Sequence, residues 1–580
     1  MTKLRPLLLA AALVLPAMPA FAESGEAGPA ALSVEQRSAW REVFAAIRAG
    51  DWPGAAARLD ALPPGPLQQA ARAELYLAKG SPKVELPQLL SLLEAAAEMP
   101  RAEQLARLAR TRGATELPEL PQAQSLVWVG SQPRRSRAPT TKDDAAATEL
   151  EPLVQPLIKD NRPYEAEAIF VGRQDRLGAE ARTEYQQRIG WSYYTIGNDA
   201  DARRLAAAAR AGTGEWAIQG AWTEGLAAWR QDDCRGAAEA FGGVAGRSGD
   251  VELVAAAHYW SARAEMMCGR PERVQGHLRS AARQMETFYG LIASTALGIS
   301  GPGVSGLHDY RDAEWRGIAG KPNVRAALAL AEIGETELAD QFIRHQARLG
   351  GAGDHAALLH LAADLDLAST QYWLAHNAPR GASVNFAARY PRPGWRPTRG
   401  WRVDPSLAFA HALQESNFRT SVVSPAGAVG LMQVRPGTAG DIARARGEPF
   451  DRQQLTTPAA NIEFGQSYIE MLRDHSATGG LLPKVIAAYN AGPVPVAEWN
   501  ARRFDRGDPL LYIESLPYWE TRGYVPIVLR NYWIYEEEAG EAGDSRHALA
   551  QGLWPRFPGM PGARAVRLRA NDTKLALGTE

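Results

Sequence analysis

Three observations predict an all-α chain in two helical regions. Ala, Leu, Arg and Glu dominate the 580 residues and runs of β-branched residues are few, which favours helix over strand. Short turn signals return roughly every 35 residues between positions 196 and 270, the period of stacked helical pairs. A proline-bearing break at 387–402, AARYPRPGWRPTRGWR, separates this repeat region from a second one rich in short motifs.

The first 22 residues read as an export leader. Lys3 and Arg5 precede an apolar run at 7–15, and Ala20-Phe21-Ala22 forms a small-residue cleavage site before Glu23. The run is short for a membrane span, although an uncleaved anchor is the alternative reading. No Cys stands at the cleavage point to carry a lipid. Losing Lys3 and Arg5 takes the formal net charge from −1 to −3, so the chain offers no general basic surface to nucleic acid. In a bacterium this address means the periplasm.

Residues 23–386 are expected to form a helical solenoid. A helix–turn–helix signature, Ile47-Arg48-Ala49-Gly50-Asp51-Trp52, has echoes at Ile196-Gly197-Asn198, Trp229-Arg230-Gln231-Asp232, Met267-Cys268-Gly269 and Ile333-Gly334-Glu335. No such pair buries its apolar face alone, so the pairs stack. Residues 116–144 interrupt the pattern with prolines and a basic cluster, Arg134, Arg135 and Arg137, and read as a linker-like, solvated loop. Gly301 opens a G-x-G-x-x-G run, but no strand precedes it, so it reads as a loop. The two cysteines, Cys234 and Cys268, fall at neighbouring repeat turns; their spacing permits a disulfide in an exported chain, and two free buried thiols remain the alternative. Two cysteines alone do not make a zinc site, and the ten histidines are scattered.

The second region is expected over 387–545, followed by a peripheral tail at 546–580. Asp404 reads as an N-cap with Pro405 at the first helical position. Residues 407–413 are almost all apolar, so this helix is expected to be buried, with Glu415 near its C-terminal end. A carboxyl group there, flanked by apolar surface, keeps its proton to higher pH and suits a general acid. The alternative is a buried Glu satisfied by a local hydrogen bond. A small-residue turn through Ser424, Gly427 and Gly430 follows and leads to Met432 and Gln433. Thr457-Pro458 opens a helix with Ile462, Gly465, Ile469 and Leu472 on one face; Gln466 and Glu470 lie off that stripe and are expected in solvent. A helix from Lys484 ends at Gly492-Pro493 and carries Tyr489 and Asn490 in its last turn, as cleft residues or as a core Tyr and a C-cap. Aromatics interleaved with polar groups at 514–524 suit carbohydrate; Glu520 and Arg522 are read equally as cleft residues or as an ion pair. His411 lies one turn before Glu415, with core packing the plainer reading.

The motifs Q-E-S-N-F at 414–418, S-P-A-G-A-V-G-L-M-Q at 424–433, A-A-Y-N-A-G-P at 487–493 and E-T-R-G-Y-V at 520–525 resemble the soluble lytic transglycosylases, in the family's order and over about 110 residues. The resemblance implies a U- or ring-shaped superhelix carrying a lysozyme-like, mainly helical catalytic domain. It implies a peptidoglycan lytic transglycosylase that cuts between N-acetylmuramic acid and N-acetylglucosamine, with Glu415 as the catalytic acid. Ser424, Met432, Gln433, Tyr489, Asn490 and Glu520 would hold the sugars of the glycan strand. No metal or organic cofactor is implied, and a monomer is expected. A lysozyme-like hydrolase on the same fold, and a glycan-binding scaffold without turnover, are the competing readings.

Overall fold

The computed structural model describes residues 31–299, 301 and 312–568. The leader and its cleavage site lie outside the described residues, as do residues 302–306 of the glycine-rich run. The described chain is helical almost throughout, with two short two-stranded sheets.

The N-terminal helices Val34–Ala49, Trp52–Ala61, Gln68–Leu77, Leu86–Ala95 and Ala102–Thr111 do not stand alone. They share one apolar core with Pro322–Glu332, Thr336–Leu349 and Ala352–Asp364, among them Trp40, Phe44, Leu105, Phe342 and Leu358. Glu332 fastens the two ends of this unit, accepting from the N–H of Ala31 at 2.6 Å and from Arg37 Nε at 3.1 Å.

The central repeats are helical hairpins: Ala179–Thr195 with Asp199–Arg210, Gly214–Arg230 with Cys234–Ala245, and Val251–Met267 with Pro271–Ala282. The echo in the sequence is a shared turn. Gly197, Asp232 and Gly269 all take positive φ (84°, 59° and 68°), a left-handed conformation that costs most residues about 1–2 kcal/mol. Asn198 and Asp233 then cap the next helix by accepting from the N–H of Asp201 and Gly236. Cys234 and Cys268 are joined across adjacent turns, with Cα atoms 5.4 Å apart. Trp222, Phe241 and Trp260 run through the hairpin core, with ring centroids 5.1 and 5.7 Å apart.

Residues 116–144 differ from the solvated loop expected. Val127–Trp128 pairs antiparallel with Asn377–Ala378. Beyond it Arg135 grips Glu514 with two hydrogen bonds of 2.6 and 2.7 Å, and its guanidinium lies 4.7 Å from the Trp222 ring. Ser136 binds Asp250, and the Trp216 indole donates to the Pro139 carbonyl. The segment is a strap across the molecule. Its composition matches that of a linker because its partners are scattered over distant parts of the chain. Arg134 and Arg137 do remain exposed.

The second region begins after the irregular stretch 390–404. Its helices are Pro405–Ser416, Pro436–Ala445, Pro458–Asp474, Leu482–Ala491, Pro493–Arg502, Pro509–Glu514 and Trp519–Glu538. Pro405–Ser416 packs along Trp519–Glu538, and the cores of this region and of the hairpins are continuous. The solenoid turns dock on residues 502–515: Phe504 lies under Gly197, where a side chain would collide at 2.4 Å, Arg263 pairs with Asp508, and Tyr194 shares a hydrogen bond with Ser515. Phe288 stacks on Trp533 at 5.1 Å.

Two further expectations are corrected here. Gln466 is fully buried, because its amide accepts from the N–H of Arg402 and donates to the Gly400 carbonyl, and Glu470 pairs with Arg402. The tail is not peripheral through residue 568. Asp544–Ala550 packs on Phe288–Ala296, and Trp554–Pro555 pairs with Ala565–Val566. Trp554 is fully buried with its indole donating to the Gly507 carbonyl. Periodicity misses this stretch because its order comes from single anchors.

Candidate active site

Asp404 caps the helix Pro405–Ser416 by accepting from the N–H of Ser406, and every residue from Ser406 to Leu413 is buried. Glu415 sits in the last turn, one residue before the helix ends, and keeps part of its surface open. The helix stops at Asn417, and Asn417 and Phe418 both take positive φ (50° and 61°). Two consecutive left-handed residues are strained; burial of Phe418 beside Phe409 and Trp395 offsets that strain and fixes the direction in which the chain leaves Glu415.

Among the described residues the Glu415 carboxyl has one hydrogen-bond donor, the Tyr524 hydroxyl, 2.6 Å from Oε1. No cation pairs with it among the described residues. Burial pushes its pKa up to about 7, the nearby Glu520 charge adds to that, and the Tyr524 hydrogen bond opposes it. Burial also raises the Tyr524 phenol well above its ordinary value, so it stays neutral and able to donate. Its oxygen lies 2.8 Å from His411 Nδ1. Because the Tyr524 proton goes to Glu415, His411 must donate from Nδ1. His411 is fully buried, burial pushes its pKa down to about 3, and its ring lies 4.4 Å from that of Tyr489. It is a neutral support for the two tyrosines.

The motif turn is held from within. Ser424 Oγ accepts from the N–H of Ala428 at 3.0 Å. Gly430, at φ 76°, leaves no room for a side chain: a Cβ would lie 2.2 Å from the Leu455 carbonyl oxygen. Asn461 reaches into the turn, accepting from the Met432 N–H at 2.8 Å and donating to the carbonyls of Val429 and Leu455. Gln433, at φ 48°, donates to the Gly430 carbonyl. The Met432 side chain is turned into the core, contrary to the expectation that it holds a sugar. Its side chain is fully buried against Gly465, and only its carbonyl serves the site, accepting from the Tyr489 hydroxyl at 2.7 Å.

Asn490 and Glu520 meet on the other side. Asn490 Nδ2 donates to Glu520 Oε1 at 3.3 Å, and Asn490 Oδ1 accepts from Thr521 at 2.7 Å. The Glu520–Arg522 ion pair does not form. Positions two apart on a helix face different sides. Arg522 turns instead to the Leu516 carbonyl and the Trp191 ring. Glu415, Tyr489, Asn490 and Glu520 thus converge, while Ser424 and Gln433 shape the adjoining turn. Sequence reasoning missed Tyr524 and Asn461. Tyr524 lies inside a quoted motif; Asn461 carries no local signal.

The chain is therefore a helical solenoid carrying a small helical domain with a part-exposed carboxyl, Glu415, that has no ion pair among the described residues. Residues 396–511 match the family model described as the transglycosylase SLT domain. The soluble lytic murein transglycosylase of Salmonella typhimurium is 39% identical over 148 residues, 25% of this chain and 23% of that one. The same enzyme of Escherichia coli K12 is 40% identical over 136 residues, 23% and 21% of the two chains. The sequence match thus spans under a quarter of the length of these curated relatives. In fold the likeness is wider. The 70 kDa soluble lytic transglycosylase of Escherichia coli superposes with a TM-score of 0.61 at 19% identity, covering 90% of this chain and 99% of that one. A lytic transglycosylase Slt structure from Pseudomonas aeruginosa gives 0.51 at 18% identity, covering 87% of each.

Proposed function

We propose that this protein is a peptidoglycan lytic transglycosylase. It cleaves the β-1,4 bond between N-acetylmuramic acid and N-acetylglucosamine and leaves 1,6-anhydromuramic ends. The observation that carries this reading is Glu415: a carboxyl lifted by burial to about pKa 7, still part-exposed, with a hydroxyl donor and no cation among the described residues. Such a group gives and takes a proton near neutrality.

Glu415 protonates the glycosidic oxygen, and the bond from that oxygen to muramic acid C1 breaks with an oxocarbenium-like transition state. Glu415, now an anion, takes the proton of the same sugar's C6 hydroxyl, whose oxygen closes on C1. The carboxyl ends protonated, as it began. The tethered hydroxyl has the advantage of proximity over a free water. Most glycosidases add a second carboxylate as nucleophile or base. The other acid here, Glu520, is exposed and held by Asn490, which supports the one-carboxyl route. We assign Tyr489, Asn490 and Glu520 to sugar binding, and Ser424 and Gln433 to shaping the turn beside it. The predicted leader supports a periplasmic enzyme, which we take to act as a monomer, and no described helix is long and apolar enough to cross a membrane.

Digestion of purified sacculi tests the reading. The new muramic ends should be lighter than hydrolytic ends by one water and unlabelled in ¹⁸O-water. Labelled, reducing ends would make the protein a lysozyme-like hydrolase, and no product would leave a binding scaffold.

A further inference from the structure

The helix Pro405–Ser416 begins beside the point where Trp519–Glu538 ends, and three carboxylates meet there. Asp404, Glu536 and Glu541 each bring one oxygen to within 4.8 Å of the other two. Gly540, at φ 71°, reverses the backbone after the longer helix, and the Glu541 N–H bonds back to the Glu536 carbonyl at 2.8 Å. Asp404 comes from the facing helix, whose N-terminus it caps.

The cluster lacks a counter-charge. None of the three carboxylates forms an ion pair among the described residues. Arg546 pairs with Glu537 at 3.4 Å, and Arg392 and Arg546 act on the cluster only through space. The last turn of Trp519–Glu538 holds no basic residue, although the partial negative charge of a helix C-terminus favours a cation there. One atom marks the gap. Glu536 is only 6% exposed, and its Oε2 is buried with no hydrogen-bond donor among the described residues. The Tyr532 hydroxyl has a single proton and gives it to Asp404 Oδ2 at 2.7 Å. A buried carboxylate oxygen without a donor bears the full cost of its lost water, and a positive ligand removes that cost.

Oxygen ligands alone select a hard cation. Calcium holds carboxylate oxygens at about 2.3–2.6 Å, so one ion bridges oxygens separated as these are. Glu541 is exposed, which leaves a side open for waters to complete the shell. Magnesium, at about 2.0–2.1 Å, demands a tighter and more regular cage.

We propose that Asp404, Glu536 and Glu541 form a calcium site that clamps the start of the Glu415 helix to the end of the helix carrying Glu520 and Tyr524. The ion does not touch the acid. It fixes the alignment of two helices whose other ends bring Glu415 and its Tyr524 donor together. The site stands whether or not the glycan reading does.

Calorimetry on the full chain, stripped of metal by a chelator, tests the site. Titration with calcium chloride should show one ion bound with a Kd on the order of 10⁻⁴–10⁻³ M, and magnesium at least tenfold more weakly. Saturating calcium should raise the melting transition by a few degrees. Glu541→Gln, at an exposed position, should weaken binding at least tenfold, and Glu536→Gln should abolish it. In chelator both variants should melt at least as high as the wild type, because each removes a charge from an uncompensated cluster; lost binding is thereby separable from misfolding. A wild type that takes up no calcium overturns the site and leaves a shared proton as the counter-charge. Uptake that neither substitution changes is an adventitious ion only, and overturns it as well.

Discussion

Glu514, at the junction of solenoid and active-site domain, is fully buried and receives two hydrogen bonds from Arg135 and one from the Tyr289 hydroxyl at 2.7 Å. Glu415, near the end of its helix, receives one from Tyr524, and the histidine behind that tyrosine is neutral. Both carboxyls leave bulk water, yet only the first is given a cation. A guanidinium with a matched fork pairs a buried carboxylate and holds it in place, which suits a joint. A carboxyl that burial disfavours as an anion, with no cation to reverse this, changes its proton near neutrality, which suits catalysis. The difference between structural and chemical glutamates here is set by their partners, and burial alone does not distinguish them.

Breaking the chemical side of this comparison should have the largest effect. Glu415→Gln keeps shape and hydrogen bonding but has no proton to give. Turnover on sacculi should fall at least ~10²–10⁴-fold, the usual worth of general acid catalysis, with binding of undigested glycan retained. Near-normal turnover in this variant would move the acid elsewhere.

Breaking the structural side should leave chemistry but loosen the joint. Arg135→Ala strands Glu514 without its cation, which for a buried pair costs about 3–5 kcal/mol. Calorimetry should show a lower transition for the solenoid–domain unit. The double variant Arg135→Met with Glu514→Leu should recover part of the loss, because it removes both charges. If Arg135→Ala melts like the wild type, the strap is not a structural tie.

What the sequence disclosed follows the same division. Groups whose setting is local were legible: the Asp404 cap, the apolar helix ahead of Glu415, and the repeat turns that need Gly197, Gly269 and Gly334. Groups defined by distant partners were not. Arg135 reads as one basic residue in a proline-rich loop because Glu514 lies 379 positions away. Asn461 organises a turn some 29 residues earlier, and Trp554 fills a socket closed by Gly507. Met432 was misplaced for a related reason: a residue inside a motif can serve through its backbone while its side chain fills the core.

The comparison can be sharpened at Tyr524, the donor to Glu415. Tyr524→Phe removes the hydroxyl that donates to Oε1 and leaves the ring, so the fold should persist. That hydrogen bond favours the carboxylate and lowers the pKa, against burial and Glu520, which raise it. Without it the acid should hold its proton to a higher pH. The active form of the free enzyme is the protonated one, so kcat/KM for the wild type should be flat in mildly acidic solution and fall as pH rises through about 7. In Tyr524→Phe the falling limb should move upward, towards alkaline pH. The shift should be up to about one unit, since a hydrogen bond is worth roughly 0.5–1.5 kcal/mol and one pKa unit corresponds to about 1.4 kcal/mol. Loss of the hydroxyl also frees His411 Nδ1, but an imidazole with a pKa near 3 stays neutral across this range and adds no limb of its own. Rate profiles between pH 5 and 9 on one soluble glycan strand decide the matter. A limb that stays in place, or moves towards acid, would mean that Tyr524 does not tune the acid and that burial alone sets its proton.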